Sequence, residues 1–237
     1  MLDRAHHLTW RCPPELPVSE LVIGRSIHDA AAILPRVFNL CRGAQETAAR
    51  LAFGLPLAER SADARRAEIV RDHVLMLCIK LPGHFGAAPY SLPAGWMADP
   101  ALLRPVLLGD APGLPCDRDG LDRQLAAGQG VMALLGEIRE SFAPGEAASD
   151  VFVVPHGVDA LSRQPFENSV AGRWAMHPLM QSVEQVNGRG PFWRVLGRVI
   201  ELEALISGVH LGYRATPSGE AYVAAARGAY AVAANTE

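Results

Sequence analysis

Residues 24–54 have the sequence GRSIHDAAAILPRVFNLCRGAQETAARLAFG. Ser26 is placed to cap a helix, and Asp29 three residues later favours the positive end of that helix. Apolar residues at positions 30, 33, 34, 37, 38 and 41 then recur at the helical period. Pro35 is expected to break or kink the helix. Because a second helix is expected over residues 40–53, the stretch predicts two successive helices.

The rest of the chain extends this helical pattern toward a small C-terminal sheet. Residues 1–18 contain several prolines and are expected to be irregular. Short strands are expected over residues 21–23 and 151–154. Further helices are expected over residues 62–81, 100–108, 121–142, 167–186 and 192–206. Residues 210–226 favour a β-hairpin around Thr216-Pro217-Ser218-Gly219. The sequence therefore predicts a mainly α fold of the α+β class, as one domain over residues 1–237, with a small C-terminal hairpin or sheet.

The composition argues against several classes of function. The net charge is −3, from 22 basic and 25 acidic residues, and no Lys/Arg cluster suggests a nucleic-acid groove. No apolar run reaches the roughly 18 residues of a membrane helix, and the N-terminus lacks a signal-peptide pattern. The cysteines are scattered without a CxxC pair, which is typical of reduced thiols in the cytoplasm. P-loop, dinucleotide and HExxH motifs are absent from the sequence.

The helical stretch 24–54 resembles the nickel-binding segment of nickel–iron hydrogenase large subunits. The residues that carry the resemblance are Gly24, Arg25, Asp29, Ala30, Arg36 and Cys41. In that family, two thiolates spaced Cys-x-x-Cys at a helix start bind a soft transition metal. Here Phe38 occupies the first ligand position and Cys41 the second, while Gln45 replaces the family's His.

Two further segments support the resemblance. Residues 64–74 are similar to the family's next helix, which carries an Arg and then Asp-His, here Asp72-His73, and a Leu-Pro-Gly triplet follows at residues 81–83. A weaker match is Arg227 with the glycine after it. The C-terminal cysteine pair that completes the metal site of the catalytic family does not occur in the chain, so a working hydrogenase is not expected.

The pattern is closer to large-subunit-like hydrogenase maturation proteins of the expression/formation protein K type, which lack the full ligand set. Also similar to that group are Glu167, Asn168, Ser169, Arg173, His177 and Pro178. The resemblance implies a helical core like that of the large subunit and a non-catalytic scaffold role in nickel–iron hydrogenase maturation. It implies maturation proteins, the immature large subunit, or both as partners. It implies no firmly bound cofactor, and an iron–cyanide–carbonyl fragment as a transient ligand.

Cys41 is the candidate anchor for such a fragment, although a free cysteine is equally suited to a role as a small core residue. Arg36 and Arg227 have guanidinium groups that can donate hydrogen bonds to cyanide nitrogens or to a partner's carboxylate. Alternatively, these arginines cap helix carbonyls or pair with Asp29 or Glu220. Both roles remain open from the sequence.

The remaining candidates are polar residues with mainly supporting roles. Gln45 can donate and accept hydrogen bonds, and His73 is expected to be a hydrogen-bonded structural residue. Arg173 and His177 share a helical face, with Glu167 nearby, if this segment is one helix. These three residues then form either a partner-contact patch or a satisfied buried network.

Three hypotheses for function follow. The first is a non-catalytic maturation scaffold that binds the iron fragment through Cys41. The second is a metal-free, chaperone-like interaction module of the same fold. The third is a metal-dependent enzyme that uses the scattered histidines, for which the sequence offers no convergent set of ligands.

Overall fold

A computed structural model of the chain describes residues 17–37, 39–150 and 166–234. Its α-helices are α1 (Val18–Val22), α2 (Ile27–Val37), α3 (Arg42–Ala52), α4 (Ser61–Val74), α5 (Leu81–His84), α6 (Arg104–Leu108), α7 (Arg118–Ala127), α8 (Gly130–Ser141), α9 (Val170–Arg173), α10 (Pro178–Asn187) and α11 (Pro191–Ile206). Short 3₁₀ turns cover Asn39–Cys41 and Pro100–Leu103, and a π-helical turn covers Leu75–Lys80. The strands are β1 (Tyr213–Ala215), β2 (Glu220–Ala225) and β3 (Gly228–Ala233). The prediction of a mainly α fold with a small C-terminal sheet is confirmed.

The start of α2 follows the predicted capping pattern. The Ser26 hydroxyl accepts the Asp29 N–H at 3.1 Å and lies 2.7 Å from the Asp29 carboxylate. The helix continues through Pro35 and ends at Val37, two residues later than the break that proline suggests. Pro35 removes the hydrogen bond from its own N–H to the Ala31 oxygen, and its ring crowds that carbonyl, so it weakens the last turn of α2, which ends two residues later.

Residues 21–23 do not form the predicted strand. They belong to α1 and the turn after it, and α1 packs against α2. Val18 and Val22, one helical turn apart, contact a small cluster that contains Leu34 and Ala49. Helical spacing therefore puts both valines on one face, where apolar burial outweighs their preference for strands.

Three predicted helices have different boundaries in the structure. The helix predicted to stop before Pro82 continues through the π-helical turn into α5, where Pro82 occupies the first helical turn. The predicted helix 121–142 is divided into α7 and α8 at Gly128, which has a left-handed φ of 62°. The predicted helix 167–186 is divided into α9 and α10, because Pro178 begins a new helix. The predicted strand 151–154 lies outside the described residues.

The main core surrounds α11, whose buried residues include Trp193, Leu196 and Val199. This helix contacts α4, α6, α8, α9 and α10. The antiparallel sheet, in the order β1-β2-β3, lies against α3 through β2 and β3. The turn between β2 and β3 thereby approaches the last turn of α4 and the middle of α11, where the polar residues of the site converge. Within the described ranges, we find no helix with the length and apolarity needed to cross a membrane.

Candidate functional site

Cys41 lies at the N-terminal boundary of α3, where its side chain is only 3% exposed. Burial raises the pKa of its thiol, and the negative charges of Glu68 and Asp72 act in the same direction. A hydrogen bond with Tyr230 and the positive charge of Arg227 oppose this rise in pKa. The net effect favours the protonated thiol, even though the start of a helix normally favours a thiolate.

Tyr230 and Gln45 complete the surroundings of Cys41. The packing of β3 on α3 brings the Tyr230 hydroxyl to both the Cys41 thiol and the Gln45 amide. Burial and the interaction with Cys41 raise the pKa of Tyr230 to about 12. Gln45 is 5% exposed and shares the Tyr230 hydroxyl with the thiol. We call Cys41, Gln45 and Tyr230 the thiol cluster.

Glu68 contributes a carboxylate at the same helix start. Its Oε2 atom accepts the Gly43 N–H at 2.8 Å, so it satisfies a main-chain donor in the first turn of α3. Burial raises the pKa of Glu68, and these main-chain hydrogen bonds oppose that rise.

Arg227 lies in the turn between β2 and β3, on the border of the thiol cluster. Its Nε and Nη2 atoms donate to the Asp72 Oδ1 atom at 3.2 and 3.1 Å. Arg198 donates to the other oxygen of Asp72 at 3.2 Å. The partner of Arg227 is therefore Asp72, not Glu220, and the Arg227 side chain remains 47% exposed. This leaves part of the Arg227 side chain accessible to a ligand.

Glu201 is the centre of a larger buried network. Its Oε1 atom accepts from His73 Nε2 at 2.9 Å and from Arg173 Nη2 at 2.7 Å. Its Oε2 atom accepts from Arg173 Nε and from Trp174 Nε1, both at 2.7 Å. Burial alone would raise the pKa of Glu201, but Arg173 and His73 outweigh it and bring the pKa to about 2. Glu201 is thus a fully buried carboxylate with its charge compensated.

His73 links Glu201 to the Asp72 side of the network. Arg198 Nη1 lies 3.0 Å from His73 Nδ1, and a guanidinium can only donate, so Nδ1 must be an acceptor. The proton then resides on Nε2, which donates to Glu201. Burial lowers the pKa of His73, which agrees with this neutral form. His73 therefore connects α4 to α11, and no residue of the thiol cluster contacts it in the described hydrogen bonds.

The three residues of the predicted patch lie in separate environments. Glu167 pairs with Arg194, with a shortest distance of 2.9 Å. Arg173 has an 11% exposed side chain and also donates to the main-chain oxygens of Ala225 and Gly228, which flank the β2–β3 turn. His177 caps α10, where its Nδ1 accepts the Leu179 N–H at 3.3 Å. The helical face that Arg173 and His177 would share does not form, because α9 ends at Arg173.

Arg36 lies apart from the other candidates. It is exposed in the last turn of α2, and we find no ion pair or hydrogen bond of its side chain with the described residues. Phe38, which the sequence resemblance aligns with a ligand position, lies outside the described residues.

Sequence reasoning missed Glu201, Tyr230 and the anchoring role of Asn168. The Asn168 side chain accepts the Ala229 N–H at 2.8 Å and donates to the Ala229 oxygen at 3.1 Å, which fixes the start of β3. Gly228 is required beside it, since a Cβ there would lie 2.6 Å from the Asn168 main-chain oxygen. One sequence feature could have identified Glu201. It is a charged residue on the face of α11 that is otherwise apolar and buried.

The described residues offer few ligands for a metal ion. No group of three or more His, Cys, Asp or Glu side chains suited to a metal ion occurs among residues 17–37, 39–150 and 166–234. A small cavity of about 110 Å³ lies among Arg227, Tyr230 and Asn168. Since one water needs about 10–15 Å³ of such volume, the cavity has room for a small polyatomic ligand. The site offers one thiol with neighbouring hydrogen-bond donors, not a complete set of metal ligands.

Comparison with known proteins places these features in context. No family model matches the chain. The hydrogenase expression/formation protein HupK of Rhodobacter capsulatus is 46% identical over 225 residues, which make up 95% of this chain and 72% of that protein.

Proposed function

Since this chain belongs to the family of hydrogenase expression/formation protein HupK, we propose that it is a non-catalytic scaffold in the maturation of nickel–iron hydrogenase. Its cargo in this proposal is an iron–cyanide–carbonyl fragment, bound transiently through Cys41. Its partners are other maturation proteins and the immature large subunit, and it acts in the cytoplasm.

The observation that carries this proposal is the convergence of the thiol cluster with Arg227. Cys41 supplies the sulfur ligand, since a thiolate suits soft or borderline metals. The partly exposed Arg227 supplies N–H donors beside it, and Asp72 orients that guanidinium through two hydrogen bonds. Cyanide nitrogens accept such hydrogen bonds. The cyanide and carbonyl groups that the iron already carries therefore supply the metal ligands that the protein does not offer.

A single thiolate suits temporary storage better than permanent binding. Burial raises the pKa of Cys41, so binding must displace the thiol proton, which makes affinity weaker and dependent on pH. Arg36 lies outside this arrangement and would serve only as a contact for partners.

The same burial favours a second candidate function. A thiol that is 3% exposed and held protonated also suits a core residue of a metal-free interaction module. In that version the chain presents a surface like that of the large subunit, and no iron is bound at any stage. The partly exposed His177, and Glu167 through its ion pair with the more exposed Arg194, are then contact residues for partners, while Arg173 supports them from the buried network.

Complementation distinguishes the two versions. A strain that lacks this protein receives the wild-type chain, Cys41→Ala, or the matched control Cys116→Ala, whose thiol is exposed. We expect Cys41→Ala to lose most of the restored hydrogenase activity and Cys116→Ala to retain it, with equal amounts of folded protein. Full activity with Cys41→Ala refutes the cargo site and leaves the interaction module. Unimpaired hydrogenase activity in the strain without the protein refutes both.

A further inference from the structure

A groove lies between the segment that follows α6 and one face of α7. It has a volume of about 710 Å³, and its lining includes Leu108, Pro112, Pro115, Arg123, Gln124 and Gln129. None of these residues belongs to the thiol cluster or to the Glu201 network. The groove is therefore separate from the residues of the proposed function.

The wall of this groove is fixed by hydrogen bonds. Gln129 Oε1 accepts the Asp110 N–H at 2.9 Å, and Gln129 Nε2 donates to the Asp110 carboxylate at 3.0 Å. Arg104 donates to the main-chain oxygen of Pro112 at 3.2 Å. A wall that is already ordered reduces the entropy lost when a ligand binds.

Gln124 differs from these hydrogen-bonded residues of the wall. Both its Nε2 and its Oε1 atoms are buried, and neither has a hydrogen-bond partner in the described part of the chain. Buried side-chain amides are nearly always paired in proteins, so an amide that lacks partners at both ends needs an explanation. The residue is half-buried and belongs to the lining of the groove.

Arg123 adds a charge to the same lining. It is exposed, and its guanidinium makes no ion pair with the residues in the described ranges. An unpaired guanidinium beside an apolar wall suits a carboxylate on the ligand.

We propose that this groove binds an extended, acidic segment of a partner protein. An amide side chain offers one donor face and one acceptor face, which match the C=O and N–H groups of an extended main chain. Arg123 pairs with an Asp or Glu of the segment, while Leu108 and the two prolines contact its apolar side chains. On binding, the side chain of Gln124 rotates and its amide pairs with the main chain of the segment.

A selection with random peptides tests the binding. A phage library of 12-residue peptides is selected on the immobilised full chain, and recovered peptides are synthesised and titrated by fluorescence anisotropy. We expect acidic peptides whose affinity falls about tenfold with Gln124→Leu and with Arg123→Glu, as for the loss of one or two strong hydrogen bonds. Arg214→Glu, an equal charge change at an exposed position of β1, is the matched control and leaves affinity unchanged. Failure to enrich any peptide, or equal binding by all variants, overturns the proposal.

Thermal unfolding gives a second readout that needs no ligand. Gln124→Leu removes an unpaired buried amide, so we expect this variant to unfold at a higher temperature than the wild type while it loses peptide binding. A lower unfolding temperature shows that the amide is already paired within the protein and overturns the proposal. Sedimentation that detects a dimer of the wild type, lost in Gln124→Leu, assigns the groove to a second copy of the chain and also overturns it.

Discussion

The Glu201→Gln substitution is expected to destabilise the protein strongly, although it changes neither size nor shape. The two carboxylate oxygens accept four N–H groups, from His73, Trp174 and two atoms of Arg173. An amide keeps one acceptor and presents a donor in place of the other, so donors face each other. Arg173, with a side chain 11% exposed, also loses the negative charge that compensates it.

Two estimates of the cost agree. Removing one partner of a buried ion pair costs about 3–5 kcal/mol, because the other charge remains buried and uncompensated. The fall in the pKa of Glu201 from its ordinary value of 4.5 to about 2 corresponds to about 3 kcal/mol. Against a typical total of about 5–15 kcal/mol, this is a large fraction of the free energy of unfolding.

Urea unfolding at neutral pH, followed by circular dichroism, measures this cost. The matched control is Glu203→Gln, two residues later on α11. Glu203 pairs with Arg104, and the two side chains are 20% and 33% exposed, respectively. The control is expected to lose less than about 1 kcal/mol. Equal losses for the two variants, or a loss below about 1 kcal/mol for Glu201→Gln, would refute the buried-network account.

Three further predictions concern neighbouring features. Burial lowers the pKa of His73 below its ordinary 6.5, so the unfolded chain binds more protons and the stability of the wild type falls as pH drops below that value. His73→Gln keeps a hydrogen-bond donor and an acceptor but cannot bind the proton, so we expect its urea midpoint to fall less than that of the wild type between about pH 7 and 5. An equal fall in the two proteins contradicts the role of His73 in this pH dependence. Gly228→Ala places a Cβ 2.6 Å from a main-chain oxygen and is expected to cost about 1–3 kcal/mol in urea unfolding, whereas a neutral effect would show that the turn adjusts freely. Iodoacetamide is expected to label the exposed Cys116 much faster than Cys78, because burial raises the pKa of Cys78 to about 12. Equal labelling rates, measured by mass spectrometry, would contradict the burial of Cys78.

Elements with strong local signals could be predicted from the sequence. The helical period and the Ser26 cap predicted α2, and the apolar face of residues 192–206 predicted α11. The turn at residues 216–219 predicted the pairing of β1 with β2. Where packing competed with local preference, as in α1, or where a helix broke at Gly128, the prediction was wrong.

The candidate site was only partly predictable, because its contacts are distant in sequence. Cys41, Gln45 and Arg227 were identified from a family resemblance, but their common neighbour Tyr230 had no local signal. Asp72 and Arg227 are 155 residues apart, so their pairing depends on how the sheet packs on the helices. Only the folded chain supplies that information.

Infrared spectroscopy with iron analysis tests the central claim most directly. The protein is purified without oxygen from cells that express the iron–cyanide maturation proteins, as wild type, Cys41→Ala and Cys116→Ala. The account predicts cyanide and carbonyl stretching bands with bound iron in the wild type and in Cys116→Ala, and neither in Cys41→Ala. Iron-free wild-type protein without such bands, or bands that persist in Cys41→Ala, would contradict the account of Cys41 as the cargo site.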